Sequence, residues 1–167
     1  QETHSTQGRC DAVTLPEGCE AFWSHGTRSQ AGVGILVKKS FLTHFDETRT
    51  LFDVVQDGRL AVLRLDGPKG SLDIWVVYLD AVSQADRMES IRMIAGDCRR
   101  PARALTVMAG DWNFVTASRD RCCSATGDWS GDRDAATQQL FADSLTSHFE
   151  LHDWHQSFFT HQSALSR

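Results

Sequence analysis

Apolar residues along the chain fall into short runs punctuated by glycine and proline, and most runs read as strands. Ala31 to Lys38 (AGVGILVK) is short and apolar and predicts a strand, with Gly32 and Gly34 implying close approach by another backbone. Leu51 to Gln56 predicts a second strand, Asp57-Gly58 a turn, and Arg59 to Leu65 a third strand. Gly67-Pro68-Lys69-Gly70 is a further turn. Leu72 to Leu79 (LDIWVVYL) is the clearest strand, rich in β-branched and aromatic side chains.

The period then changes. Met88, Ile91, Ile94 and Ala95 recur at helical spacing behind Ser83, a cap residue, so a helix is expected from about Ser83 to Arg99, ended by Pro101. Leu105 to Ala109 predicts a short buried strand, running directly into Gly110-Asp111-Trp112-Asn113. Residues 116–133 read as a polar loop. Asp134 to Phe149 reads as a second helix with Leu140, Phe141 and Leu145 on one face, and Phe158 to Thr160 as the start of another strand. Residues 1–30 are polar and punctuated by glycine, with Pro16 and Gly18 suggesting a turn. Three strands joined by turns favour antiparallel pairing. The whole predicts a layered α/β sandwich with mixed, largely antiparallel sheets rather than a doubly wound parallel one.

Composition adjusts this picture little. The 167 residues suit a single domain, and 41% hydrophobic with 23% charged residues is ordinary for a globular chain. No apolar run approaches the roughly 20 residues of a membrane-spanning helix, so no membrane partner is expected. The polar start, without Met, is not a signal peptide, and the chain reads as part of something longer. A net charge of −5 argues against a protein that holds nucleic acid by charge alone, but a metal site needs carboxylates. Five cysteines without a CxxC pair read as reduced, intracellular thiols and not as a zinc site. His148, His152 and His155 have helix-compatible spacing but no HExxH pattern, and read as solvent-facing.

Three places carry candidate chemistry. A strand end fixes the Asp111 carboxylate at the sheet edge, Asn113 can project alongside it as a donor, and Gly110 would let a phosphate or water approach. An Asx turn explains the same residues equally well. Tyr78, the sole tyrosine, is either a phosphate-contacting phenol or a core residue. Glu2 is either a metal-binding carboxylate or part of a frayed polar end. Arg59 could hold a phosphate but reads more simply as a strand-edge charge, and Arg99, Arg100 and Arg103 read as a solvated helix end.

Taken in order, QETH, SQAGVGILV, GRLAVLRL, LDIWVVYLDA, MAGDWNFV and Asp120-Arg121 resemble the endonuclease/exonuclease/phosphatase superfamily, especially the endonuclease domain of non-LTR (LINE-type) retrotransposons. The resemblance spans the whole chain as one partial domain, 1–167, and implies a deoxyribonuclease I-like fold, incomplete at both ends. It implies Mg²⁺-dependent phosphodiester hydrolysis, with Mn²⁺ as an alternative ion. Glu2 would bind the metal, Tyr78 would contact the phosphate, Asp111 would orient or deprotonate the attacking water, and Asn113 would stabilise the transition state. DNA would be the substrate, a reverse transcriptase domain would follow in the same polyprotein, and the location would be nuclear. The family's first-strand Asn would precede Gln1 and its Asp-His pair would follow Arg167, so the chain by itself is expected to be inactive. Two other roles fit the same motifs: a relative acting on a phospholipid, inositol phosphate or abasic DNA, and a non-catalytic remnant serving as a binding module.

Overall fold

A computed structural model describes residues 3–4, 6–10, 12–26, 31–115 and 134–149. Glu2, the 116–133 loop with Asp120-Arg121, His152, His155 and the strand expected at 158–160 lie outside the described residues.

The described elements are a short α1 (Gln7–Cys10), β1 (Cys19–Ser24), β2 (Val33–Lys38), α2 (Lys39–Leu42), β3 (Leu51–Gln56), β4 (Leu60–Gly67), β5 (Gly70–Tyr78), α3 (Gln84–Asp97), β6 (Leu105–Asp111), α4 (Ala135–Phe141), a π-helical turn (Ala142–Thr146) and α5 (Ser147–Phe149). They form a four-stranded sheet in the order β3-β4-β5-β6 and a two-stranded sheet of β1 and β2. β3, β4 and β5 are antiparallel neighbours, whereas β6 runs parallel to β5 after the α3 crossover. The architecture is a mixed α/β sandwich: the helices cover one face of the larger sheet and β1–β2 the other.

Strand alternation builds both faces. Leu60, Val62, Trp75, Val77 and Leu79 point to the helical side and bury Ile91, Ile94 and Leu145. Ala61, Leu63, Leu65, Val76 and Tyr78 point the other way and bury Val33, Ile35 and Val37 of β2. The register makes each face continuous, since Val62 pairs with Trp75 and Ala61 with Val76. Ser83 caps α3 as expected, its side chain accepting the Asp86 N–H at 3.2 Å. Asp134 caps α4 by accepting from Thr137 N at 3.1 Å.

Three features add to or correct the expectations. First, Cys19–Ser24 is a strand, paired in full register with β2. Its sequence, CEAFWS, alternates too weakly to announce itself, and the Pro16–Gly18 turn that was legible is the bend that launches it. Second, β6 is not buried. Among the described residues it is an edge strand, with Leu105 69% and Val107 47% exposed, because β2 packs on β4 and β5 and leaves β6 uncovered.

Third, Arg99 is not a solvated helix end. Its guanidinium clasps Asp73 and donates to Asp66 at 2.8 Å. Asp73 is fully buried, and Arg64 adds a second contact to it at 3.5 Å while also bonding Asp53 and Asp97. A buried carboxylate needs such partners to remain charged. Asp66, bonded by Ser71 and then Arg99, is held below the usual carboxylate range.

Candidate active site at one end of the sandwich

Both sheets end together where β1, β3, β5 and β6 finish and β2 and β4 begin. The Asp57-Gly58 turn stitches this end. Gly58 N–H donates to the buried Ser24 hydroxyl at 2.8 Å, and Gly58 O accepts from Gly32 N at 2.9 Å. Gly58 has φ +65°, and a Cβ there would lie 2.9 Å from Gly26 Cα, so the turn admits only glycine. The close approach expected at Gly32 is this contact. Thr3 and His4 bond backbone to backbone with Gly32 and Ala31 at 3.0 Å, adding a short extended piece beside them.

Tyr78 and Asp111 are register neighbours on the parallel pair β5–β6, so their side chains leave the same face of the sheet. That face is the one β1–β2 covers, and Tyr78 is 8% exposed. Leu79 N donates to Asp111 O at 2.9 Å, locking the two strand ends together. Asp111 Oδ1 then accepts the Asn113 N–H at 3.0 Å, which is the Asx turn allowed by the sequence. Asn113 takes φ +51°, a conformation asparagine tolerates, and its Nδ2 donates to Leu79 O at 2.8 Å. Among the described residues these bonds leave one amide N–H, the Asn113 Oδ1 atom and the Asp111 Oδ2 atom for further partners.

Trp112 points away from these groups, as alternation predicts. It is partly buried on the helical side, edge-to-face with Phe141 at 5.1 Å and Phe114 at 6.3 Å between ring centres. Gly110 has a different reason to exist from the one its motif suggested. It has φ +150°, and a Cβ would sit 1.8 Å from Val77 O, so the neighbouring strand demands glycine whether or not a phosphate ever approaches.

Sequence reasoning missed the ionic frame around Tyr78. Arg59 O accepts the Tyr78 N–H at 2.8 Å, and the Arg59 guanidinium carbon lies 5.4 Å from the Tyr78 ring centre. Arg59 Nη2 donates to Asp80 Oδ2 at 2.7 Å. Asp80 Oδ1 accepts from Ser83 N at 2.7 Å and Val82 N at 2.8 Å, and these bonds, with the Arg59 charge, hold its carboxyl below the usual range. Arg87 Nη1 binds Asp80 O at 2.8 Å, and its Nη2 and Nε reach Asp134 Oδ2 at 2.7 and 3.0 Å. The only signals in the sequence were an Arg after a Gly turn and an Asp two residues past the Tyr.

The oxygen donors at this end are of the hard kind that suits Mg²⁺, which commonly takes one or two carboxylates and completes its shell with water and phosphate oxygens. Asp111 Oδ2 and the exposed Asp57 carboxylate are oxygens of this corner that could take such a role. Among the described residues no three His, Cys, Asp or Glu side chains converge as metal ligands, and Glu2 is not among them. No protein-family model matches the chain, and no curated protein matches it.

Proposed function

We propose that the chain belongs to a Mg²⁺-dependent phosphodiesterase, a DNA endonuclease of the retroelement type, whose catalytic corner includes Tyr78, Asp111 and Asn113. The observation that carries the reading is the meeting of these three residues, brought from two strands and a turn, at one end of a mixed α/β sandwich. Strand ends that splay out rigidly held polar groups are where such sandwiches offer a site, because the sheet fixes the geometry and the loops leave room for substrate.

In this reading Asp111, pinned through Oδ1, presents Oδ2 to the attacking water and takes up its proton. Asn113, held to Leu79 O by one amide hydrogen, donates the other to a phosphoryl oxygen as charge develops there. Tyr78 contacts the phosphate, with its ring held by Arg59. Bound Mg²⁺ would act as a Lewis acid on a phosphate oxygen, with Glu2 proposed as a ligand. DNA as substrate, a reverse transcriptase domain in the same polyprotein and a nuclear location belong to the same proposal.

A second reading is a non-catalytic module that keeps the fold to bind nucleic acid. It is favoured by the structural bonds Asp111 and Asn113 already make, which suffice to explain both residues.

Nicking of supercoiled plasmid separates the two. The chain, expressed within its longest natural reading frame, is assayed with Mg²⁺ and with EDTA beside its Asp111→Ala variant. Relaxed circles that need Mg²⁺ and fall by about 10²- to 10⁴-fold in the variant support the enzyme. A folded protein that binds DNA and leaves it supercoiled sinks the enzyme and favours the module.

A further inference from the structure

We propose that Arg59 is the oxyanion-binding residue of the strand-end corner, taking a phosphate group on the edge of its guanidinium that Asp80 does not occupy. The inference rests on the phosphodiester reading for the identity of the anion, but its geometry stands apart from catalysis.

Three observations carry it. Arg59 Nη1 is buried and has no hydrogen-bond partner among the described residues, although the guanidinium is a five-donor group that seldom leaves a buried N–H unmade. The opposite edge is engaged, with Nη2 on Asp80 Oδ2 at 2.7 Å, and the face is engaged, lying over the Tyr78 ring at 5.4 Å. The guanidinium is therefore held in one plane with a donor left over, the pre-organised condition for recognising a tetrahedral oxyanion. Its place is also right. Arg59 O holds the Tyr78 N–H at 2.8 Å, and Tyr78 is the register neighbour of Asp111, so the unmade donor belongs to the same end of the sheet as the proposed catalytic groups.

A purely structural Arg would spend its donors on the fold, as Arg99 does with Asp73 and Asp66 and Arg87 with Asp134 and Asp80. Arg59 is the arginine with a buried N–H unmade among the described residues. Nη1 itself is buried while the side chain as a whole is 23% exposed, so an anion reaches the unmade donor by displacing the groups that cover it. Asp80 limits the net charge there, and its two backbone bonds to Val82 and Ser83 keep it from swinging into the anion's path. The site would favour a phosphate over a carboxylate, since a phosphate offers a further oxygen to Asn113 or to a metal.

The test is a titration of the isotopically labelled chain with inorganic phosphate, without metal, followed by backbone amide NMR shifts. In the native chain, saturable shifts are expected at Arg59, Tyr78 and Asp80. Arg59→Met should weaken binding by about tenfold or more, the loss expected for one charge-assisted bond. Arg59→Lys keeps the charge without the planar fork and should fall between the two, and it serves alone if the Met variant does not fold. Native shifts absent from these amides, or a folded Arg59→Lys protein that binds phosphate as tightly as the native chain, would overturn the proposal. Phosphate binding that survives alongside a failed nicking assay would leave the anion site standing and remove only the enzymatic reading.

Discussion

Asp134 grips Arg87 through a single carboxylate oxygen at 2.7 and 3.0 Å while its other oxygen caps α4, so one side chain ties the two helices together. Both partners are close to buried. Asp134→Ala removes a cap and strands a guanidinium, and should cost about 2–4 kcal/mol in a urea titration.

The same residue sets an acid limit. Burial opposes its charge, but Thr137, Gln84 and Arg87 bond the carboxylate and hold its pKa down to about 2, below the usual 3.8. A folded value below the unfolded one means that the stabilisation is whole above about pH 4 and is lost as pH falls toward 2. Unfolding midpoints measured between pH 5 and pH 2 should therefore drop less in Asp134→Asn than in the native chain. Equal slopes would show that Asp134 is not the group titrating.

Gly110 and Gly96 make opposite forecasts. A methyl at Gly110 meets Val77 O at 1.8 Å on a backbone with positive φ, so Gly110→Ala should destabilise by more than about 3 kcal/mol or prevent folding. At Gly96, inside α3, nothing lies within 4 Å of an added Cβ. Gly96→Ala should raise stability by about 0.4–1 kcal/mol. Thermal melts of the two variants side by side check both.

Asp73 is the keystone of the buried ionic cluster, with no exposed surface and two arginines upon it. Asp73→Asn leaves Arg99 and Arg64 without their shared counter-charge and should cost about 3–5 kcal/mol by denaturant titration. A loss below about 1 kcal/mol would mean that Asp66, Asp53 and Asp97 suffice.

Leu105 and Val107 stand exposed on β6, an edge strand among the described residues, and such an edge invites another strand. Leu105→Lys should leave the melting midpoint nearly unchanged, within about 0.5 kcal/mol, and raise the concentration at which the chain begins to aggregate in light scattering.

What the sequence disclosed was local. Ser83 announced its helix through its own side chain, the spacing of Leu140, Phe141 and Leu145 announced the second, and Asp57-Gly58 announced a turn that the structure uses. The strand run from residue 51 to 79 was readable because β-branched and aromatic residues are concentrated there. What it hid was pairwise and distant. Arg99 looked like a helix-end charge because Asp73, its partner, sits 26 positions earlier on a strand that is mostly apolar. The Arg59–Asp80 pair spans 21 positions, and nothing at either end names the other. β6 read as buried because its composition is apolar, while its exposure depends on how many strands the opposing sheet supplies. For Tyr78, Asp111 and Asn113 the order of residues gave the positions, and only the parallel register showed that they meet.

That parallel register has a kinetic side. Tyr78 and Asp111 become neighbours only after the chain has formed β5, travelled the length of α3 and returned beside its own starting strand. The β3–β4–β5 meander can form from near contacts, whereas closing the crossover carries the entropy of a long loop. The corner is thus absent from any partly folded chain that has only its hairpins. A nascent or stressed molecule would hold most of its sheet before it joined Tyr78 to Asp111, and during refolding protection of the Leu79 amide, which donates to Asp111 O, should lag behind protection of the β4–β5 pairs.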